Sequence, residues 1–326
     1  DKTQNRQLEI NSITINGAEK VNKASILKQM NTKQSPSGFS KFLYSLGLGL
    51  GSPAEYFSLP NFQSDINGIK KNYKNNGFDE IKIDTTLRVD LGKNRIDITI
   101  DIYEGYQSLI DSVVFLKLDS LEPEIKNEVV AKSNLIKDNP FRVGDIKGEI
   151  NRINMTLSNN GYPNAFIENS SVTLAKILSN NNYRIFIPVQ TGEKCYFGDT
   201  KIVLEADKDR YISEEIIYKQ LEFKPNMPYS SDKRLESERN INRLGIFDFA
   251  RLEQKTAQMK DSVYYIPINV LLKPKDRYEL APEIFVNDQD NSFNFGAGLS
   301  ATIRNIGGGA QNLVGKVSGR AQSLDQ

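Results

Sequence analysis

The chain has no histidine. That one absence removes serine–histidine and cysteine–histidine catalysis, imidazole metal sites and a histidine pH switch together. A single cysteine, Cys195, excludes an internal disulfide and argues against a cysteine zinc site. It ends an apolar stretch and reads as a small buried hydrophobe. No run of about 18 apolar residues occurs, so no membrane-spanning helix is encoded. The first residues, Asp1 to Gln7, hold no apolar core and read as no signal peptide. Net charge is also missing. The 42 basic and 41 acidic residues leave +1, which gives no footing for nucleic acid or a strongly charged partner. Hydrophobic residues make up 38% of 326, which fits several small cores better than one large one.

What is present is a repeat. The stretch Ile150-Asn-Arg-Ile-Asn-Met-Thr-Leu-Ser-Asn-Asn-Gly161-Tyr162 has a weaker copy before it, Ile66 to Phe78, and another after it, Asn240 to Phe247. Gly77, Gly161 and Gly245 are spaced 84 positions apart. A fixed period of this kind means one supersecondary unit used three times. Ile146, Ile150, Ile153 and Leu157 recur at helical spacing, as do Ile66, Ile69 and Tyr73. Glycine then stops each helix in a left-handed turn. The third copy is thinner, with Leu235, Ile241 and Leu244 apolar. Lys233, Arg234, Arg239 and Arg243 give it a basic side that reads as solvated.

In chain order, Leu8, Ile10, Ile13 and Ile15 predict a strand and Val21 to Met30 a short helix. Residues 31 to 60 read as an irregular insertion with Phe39, Phe42, Leu43, Tyr44 and a Leu-Gly alternation from Leu46 to Gly51. It is no phosphate loop, because no Gly-Lys-Ser/Thr follows. A loop this long and apolar is functional or packed on a neighbour; packing is the reading taken. After the repeat helix, Ile81, Ile83, Thr85, Leu87 and Val89 share one strand face. Ile96, Ile98, Ile100 and Ile102 face in on the next strand, with Asp97, Thr99 and Asp101 out. The unit is strand, helix, helix, strand, strand, with two helices covering the one apolar face. The second unit runs from a strand at 109–118 through helices opened by Pro123 and by Pro140-Phe-Arg-Val-Gly-Asp145 to strands at 166–177 and 183–189. The third starts at Tyr196, uses Ser213-Glu-Glu and Pro228-Tyr-Ser-Ser as helix openings, and ends in strands at 247–252 and 264–272. Pro188 and Pro267 inside strands predict a bulge or an unpaired position. Beyond Ala281 no helix signal remains. Phe293 to Ile303 and Leu313 to Ala321 alternate around a glycine-rich turn, the pattern of a membrane barrel strand or of a soluble glycine-rich hairpin.

Pro140-Phe-x-x-Gly-Asp145, a helix, Asn160-Gly-Tyr162 and two strands, with looser copies of this order before and after, resemble the polypeptide-transport-associated (POTRA) domain. The tail Phe295-Gly-x-Gly-Leu-Ser-x-x-x-Arg-Asn-Ile-Gly-Gly-Gly-Ala-Gln311 resembles the opening of the barrel in BamA/TamA-type outer-membrane assembly proteins, and three repeats resemble the TamA-like branch. The resemblance implies an α+β chain of three tandem POTRA domains at 1–105, 106–194 and 195–278. The first antiparallel strands of a transmembrane β-barrel would follow at 279–326. Two strands cannot close a barrel, so a longer protein is expected. The implied setting is the outer membrane of a Gram-negative bacterium with the repeats in the periplasm.

The implied function is assembly of outer-membrane proteins without a cofactor, metal or catalytic step. Unfolded outer-membrane proteins would pair with exposed sheet edges at 79–90, 165–177 and 247–256, the first two mattering most. Ile81, Ile83, Thr85, Leu87, Val89, Val172 and Leu174 would carry client strands. Phe293, Phe295, Gly296, Gly298, Leu299 and Ala301 would form a barrel seam. Phe39, Phe42, Tyr44 and Leu46 would dock a lipoprotein or inner-membrane partner, and a pure docking scaffold is the alternative reading. Lipid would be met through the barrel, and nucleic acid is not expected. An enzyme would have to use carboxylates such as Asp97, Asp101 and Glu104, which read as the solvated side of a sheet.

Overall fold

The computed structural model describes residues 7–47, 49–205, 212–289 and 292–322. Its contacts divide the chain into two compact units. One holds Asp1–Lys117, Glu128–Arg152 and Ile167–Val189; the other holds Leu118–Asn127, Ile153–Phe166 and Gln190–Gln326.

In the first unit, β1 (Glu9–Asn16) shifts its apolar phase between Ile10 and Ile13, and the register explains the shift. Ile10 pairs with Ile96 but Ser12 with Asp97, so a bulge intervenes. Asn22 caps α1 (Lys23–Gln29), shorter than the 21–30 expected, by accepting from Ala24 N at 2.8 Å. The insertion is not irregular throughout: it contains α2 (Gly38–Ser45), capped by the Ser37 hydroxyl. That helix is only eight residues long, too short for periodicity to announce it. Then follow α3 (Leu59–Asn75), β2 (Lys82–Asp90) and β3 (Arg95–Tyr103). The sheet order is β1-β3-β2, with β1 and β3 parallel. Ile96, Ile98, Ile100 and Ile102 are buried against Ile26, Met30, Phe62, Ile69 and Tyr73 from the helical side. The same unit contains the sheet of β4 (Ile110–Leu116), β5 (Thr173–Lys176) and β6 (Tyr183–Pro188), in order β4-β6-β5. Pro188 ends β6 opposite Leu116 instead of making a bulge. Between β4 and β5 lie α4 (Pro123–Ala131) and α5 (Val143–Asn159), each divided between the two units. The α5 stripe Ile146, Ile150, Ile153 and Leu157 is buried throughout.

The second unit contains β7 (Cys195–Leu204), α6 (Glu214–Tyr218), α7 (Ser231–Arg243), β8 (Phe247–Gln254), β9 (Gln258–Lys260) and β10 (Val263–Pro274). Their sheet runs β7-β10-β8 around a core in which Phe197 stacks on Phe223 at 4.0 Å. Pro267 does sit at a bulge. Ile266 pairs with Phe197 but Ile268 with Thr200, and an added Cβ on Gly198 would lie 3.1 Å from Pro267 N. Ser213 precedes α6, but its side chain accepts no capping bond; the Ser230 hydroxyl caps α7. The chain ends in three long antiparallel strands, β11 (Tyr278–Gln289), β12 (Ser292–Ile306) and β13 (Gln311–Gln322), in that order.

The repeated glycines mark a repeated joint. In the first unit, Gly77 O accepts from Ser108 N at 2.9 Å, and Phe141 N donates to Ser108 O at 2.9 Å. In the second, Gly161 O accepts from Cys195 N at 2.7 Å, and Tyr229 N donates to Cys195 O at 3.0 Å. Each glycine therefore passes its carbonyl to the start of the following repeat. The Pro-Phe or Pro-Tyr segment then closes over that start.

Candidate functional site

A sheet edge is a row of backbone donors and acceptors, and several edges in these repeats are held at the start of the strand or by side chains. The outer edge of β1 is held by the insertion: Ser35 N donates to Ile10 O, Ile10 N to Glu55 O, and Phe57 N to Leu8 O, each at 2.9 Å. The edge of β4 is held by residues 138–140, through Ile110 N to Asn139 O and Asp138 N to Ile110 O. The edge of β7 is held by 226–229, through Phe197 N to Met227 O and Asn226 N to Phe197 O.

The edge of β8 is closed by side chains. Asn242 Nδ2 donates to Ala250 O at 2.8 Å while its Oδ1 accepts from Ala250 N at 2.9 Å. Glu238 accepts from Leu252 N at 2.8 Å and Arg234 donates to Leu252 O at 2.9 Å. Arg234, Glu238 and Asn242 lie at i, i+4 and i+8 of α7, one helical face. The basic side of this helix is thus only partly solvated, and the 247–256 edge expected for client strands is occupied. The spacing of these three polar residues was the signal in the sequence, but a polar helix face reads as solvent-exposed until a strand is placed beside it.

Among the described residues of the first unit, the β5 and β2 edges have no backbone partner anywhere along their length. β5 has four residues. Val172 precedes it, and residues 169–171 form a single helical turn, so the strand expected over 165–177 is mostly not a strand. Leu174 is in β5 and exposed. β2 is the longer edge, nine residues without bulge or proline. Ile83, Thr85, Leu87 and Val89 lie opposite Ile102, Ile100, Ile98 and Ile96, on the core face; Ile81 lies just before the strand. The helices do not cover the far end of this face, and Leu87 is 38% and Val89 47% exposed. β2 therefore offers unpaired backbone beside an apolar ledge.

The terminal sheet has two distinct faces. By register, Tyr278, Leu280, Pro282, Ile284 and Val286 align with Ile303, Ala301, Leu299, Ala297 and Phe295, and these with Leu313, Gly315, Val317 and Gly319 of β13. No charge falls at these positions, and the next β11 position in the same register is Asp288. Ile284 is 86% and Val317 78% exposed on this face. The opposite face carries the ion pairs Arg304–Glu279 and Lys316–Glu283. The expectation that Phe293, Phe295, Gly296, Gly298, Leu299 and Ala301 lie on the first strand, at the seam, is corrected. β12 is paired on both sides, and β11 comes first and forms the edge. Pro282 and the charges before Tyr278 hid β11 from periodicity, yet an edge strand tolerates proline.

Phe39, Phe42, Tyr44 and Leu46 lie on and just after α2, and all are exposed. They pack on nothing among the described residues deeply enough to be buried. The three candidate carboxylates serve structure. Asp97 accepts from Ser12 at 2.5 Å and Asn11 at 2.7 Å, which hold its carboxyl below the usual range. Asp101 accepts from Asn16, and Glu104 from the amides of Glu19 and Lys20 and from Tyr73 Oη. No cluster fit for a metal occurs among the described residues.

Residues 8–105 match the POTRA family, described as surface antigen variable number repeat. That match spans the first repeat. The other two share its element order, and the whole is a mixed α+β fold. No curated protein matches the chain. Among solved structures, BamA POTRA3–5 of Haemophilus influenzae is similar at 18% identity with a TM-score of 0.44, over 81% of this chain and 96% of that one. BamA of Haemophilus ducreyi lacking POTRA domains 1–3 is similar at 13% identity with a TM-score of 0.48, over 67% of this chain and 37% of that one. CdiB of Acinetobacter baumannii is similar at 13% identity with a TM-score of 0.34, over 67% of this chain and 39% of that one.

Proposed function

We propose that this chain is the periplasmic receiving arm of an outer-membrane assembly or secretion factor, and that it holds unfolded client proteins by adding their strands to β2. The observation that carries the reading is the pattern of edges. β1 is held at Ile10, β4 at Ile110 and β7 at Phe197 by backbone partners, β8 is held by side chains, and the nine-residue β2 edge has no partner along its length. Pairing through backbone is nearly independent of client sequence, which suits a receptor for many clients. The face that is uncharged from Tyr278 to Val286 of β11 and across the paired positions of β12 and β13 supports a lipid-facing barrel start, with domains at 1–105, 106–194, 195–278 and 279–326. The barrel edge open to a client strand is then β11, and three repeats fit a TamA-like arrangement. The setting is a Gram-negative outer membrane with the repeats in the periplasm.

Photo-crosslinkers at Lys82, Thr86 and Arg88 should capture an unfolded outer-membrane protein. The same groups at Phe249 and Arg251 on β8 should not. Silence at β2, or equal capture at β8, would remove this mechanism. The exposed face of α2 favours a second, docking role for the insertion. Removing residues 38–52 tests it while leaving Ser35 and residues 55–57 on the β1 edge; client capture at β2 should persist.

A further inference from the structure

The helix α2 is mounted the wrong way round for a soluble domain. Phe39, Phe42, Leu43 and Leu46 stand at i, i+3, i+4 and i+7, one apolar face. An amphipathic helix normally turns such a face to the core. Here Phe39 is 71% and Phe42 57% exposed, and α2 has no buried residue. Its polar side is the anchored one: Lys41 pairs with Glu9 at the start of β1. Gly51 and Ser52, after the helix, lie back against it. Gly51, at φ 80°, sits where a Cβ would meet Ser40 O at 2.1 Å, and Ser52 N donates to Ser40 Oγ at 3.1 Å. Leu50, before Gly51, is also exposed. The outward apolar face is therefore held in place by contacts on its other side.

Charge identifies the occupant. From Lys20 to Ala54 there is no acidic residue, while Lys20, Lys23, Lys28, Lys33 and Lys41 are all basic. The chain as a whole is nearly neutral, so this 35-residue stretch is a local asymmetry. Lys20, Lys23 and Lys28 are exposed. Outward aromatic and leucine side chains in a stretch that carries lysines and no carboxylate of its own are the chemistry of a helix lying in the headgroup region of an anionic bilayer. We propose that α2, with Leu50 after it, beds into the surface of an anionic lipid membrane. The insertion would then be a reversible membrane foot on the first repeat. The proposal takes up the docking role of α2 and is independent of client pairing at β2.

The test is co-sedimentation of the full chain with vesicles of mixed phosphatidylglycerol and phosphatidylcholine, against vesicles of phosphatidylcholine alone. The terminal sheet has its own apolar face, so variants must separate the two. The double substitution Phe39→Ser with Phe42→Ser changes exposed side chains and leaves the fold intact, as an unchanged thermal transition will show. It should lower partitioning by about tenfold or more, the effect of about half burying two phenyl rings. Leu299→Ser with Val317→Ser, on the terminal sheet, should leave the α2-dependent fraction in place. Lys20→Gln, Lys23→Gln and Lys28→Gln together, or raising salt from 0.15 M to 1 M, where the screening length falls from about 8 Å to about 3 Å, should weaken binding to the anionic vesicles only. Equal binding to both vesicle types overturns the proposal. So does binding that survives the Phe39/Phe42 change, or wild-type chain left in the supernatant. Crosslinking of client at β2 should be the same in all these variants, so failure here and failure there are read separately.

Discussion

Gly77, Gly161 and Gly245 are equivalent in the repeat, yet their replacement by alanine should cost three different amounts. All three are left-handed, at φ 85°, 97° and 71°. An L-residue there costs about 1–2 kcal/mol, against which alanine recovers about 0.4–1 kcal/mol by restricting the unfolded chain. The shared cost is therefore about 1 kcal/mol. The surroundings decide the rest. A Cβ on Gly245 would have only Asn312 Nδ2 nearby, at 3.7 Å, and adds nothing. On Gly161 it would meet Lys194 Cγ at 3.1 Å, a flexible stem that swings aside for a few tenths more. On Gly77 it would lie 2.8 Å from Phe141 O and 3.2 Å from Ser108 O, both backbone and both in the joint. Forcing those apart adds about 1–3 kcal/mol, so Gly77→Ala should cost about 2–4 kcal/mol. Gly68, inside α3 with nothing within 4 Å, is the control; its change to alanine should stabilise by about 0.5–1 kcal/mol. Hydrogen exchange of core amides in β3, β6 and β10 reads each repeat separately, a tenfold change in protection being about 1.4 kcal/mol. Equal losses at the three glycines, or the largest at Gly245, would refute the reasoning.

Other changes test other parts of the molecule. Glu149 is 0% exposed and holds Arg152 at 2.6 Å and Asn134 N at 3.1 Å, while Arg152 also donates to Val129 O. Glu149→Ala should cost the second repeat about 3–5 kcal/mol by stranding a guanidinium, and Glu149→Leu with Arg152→Met should recover most of it in urea unfolding. Burial raises the Glu149 pKa, but the hydrogen bonds from Arg152, Asn134 N and Ser133 outweigh it and leave it below 4.5. Its contribution is therefore full above about pH 4.5 and lost as pH falls through the lower folded value, seen as acid destabilisation that the double variant lacks. Glu238→Ala with Asn242→Ala should free the β8 edge, at about 1 kcal/mol per lost bond, and make crosslinkers at Phe249 begin to capture client. Cys195 is buried, which together with Glu193 pushes its thiol up. A thiol reagent should react with the native chain at least about tenfold more slowly than with the urea-unfolded chain.

Much of the architecture was legible because it rests on local rules. Period two in Ile96 to Ile102, period 3.6 in Ile146 to Leu157 and the glycine that ends each helix are statements about a few neighbouring residues. They set strands, helices and a repeated element order without any knowledge of what lies across the sheet. The break in phase between Ile10 and Ile13 even recorded the β1 bulge. The lack of histidine and of a metal-binding cysteine set settled which chemistries to discard before any fold was in view.

What the sequence left undecided was which edges are open and which faces are covered, because both depend on partners distant in the chain. The side chains of Arg234, Glu238 and Asn242 look solvated until β8 lies beside α7. β12 looks like a first strand until β11, disguised by Pro282, pairs in front of it. Phe39 and Phe42 look like core until Lys41 turns the other side of their helix inward to Glu9. Backbone propensity is fixed by neighbours in sequence, whereas an edge or an exposed face is defined by what fails to pack against it, and only the assembled fold supplies that.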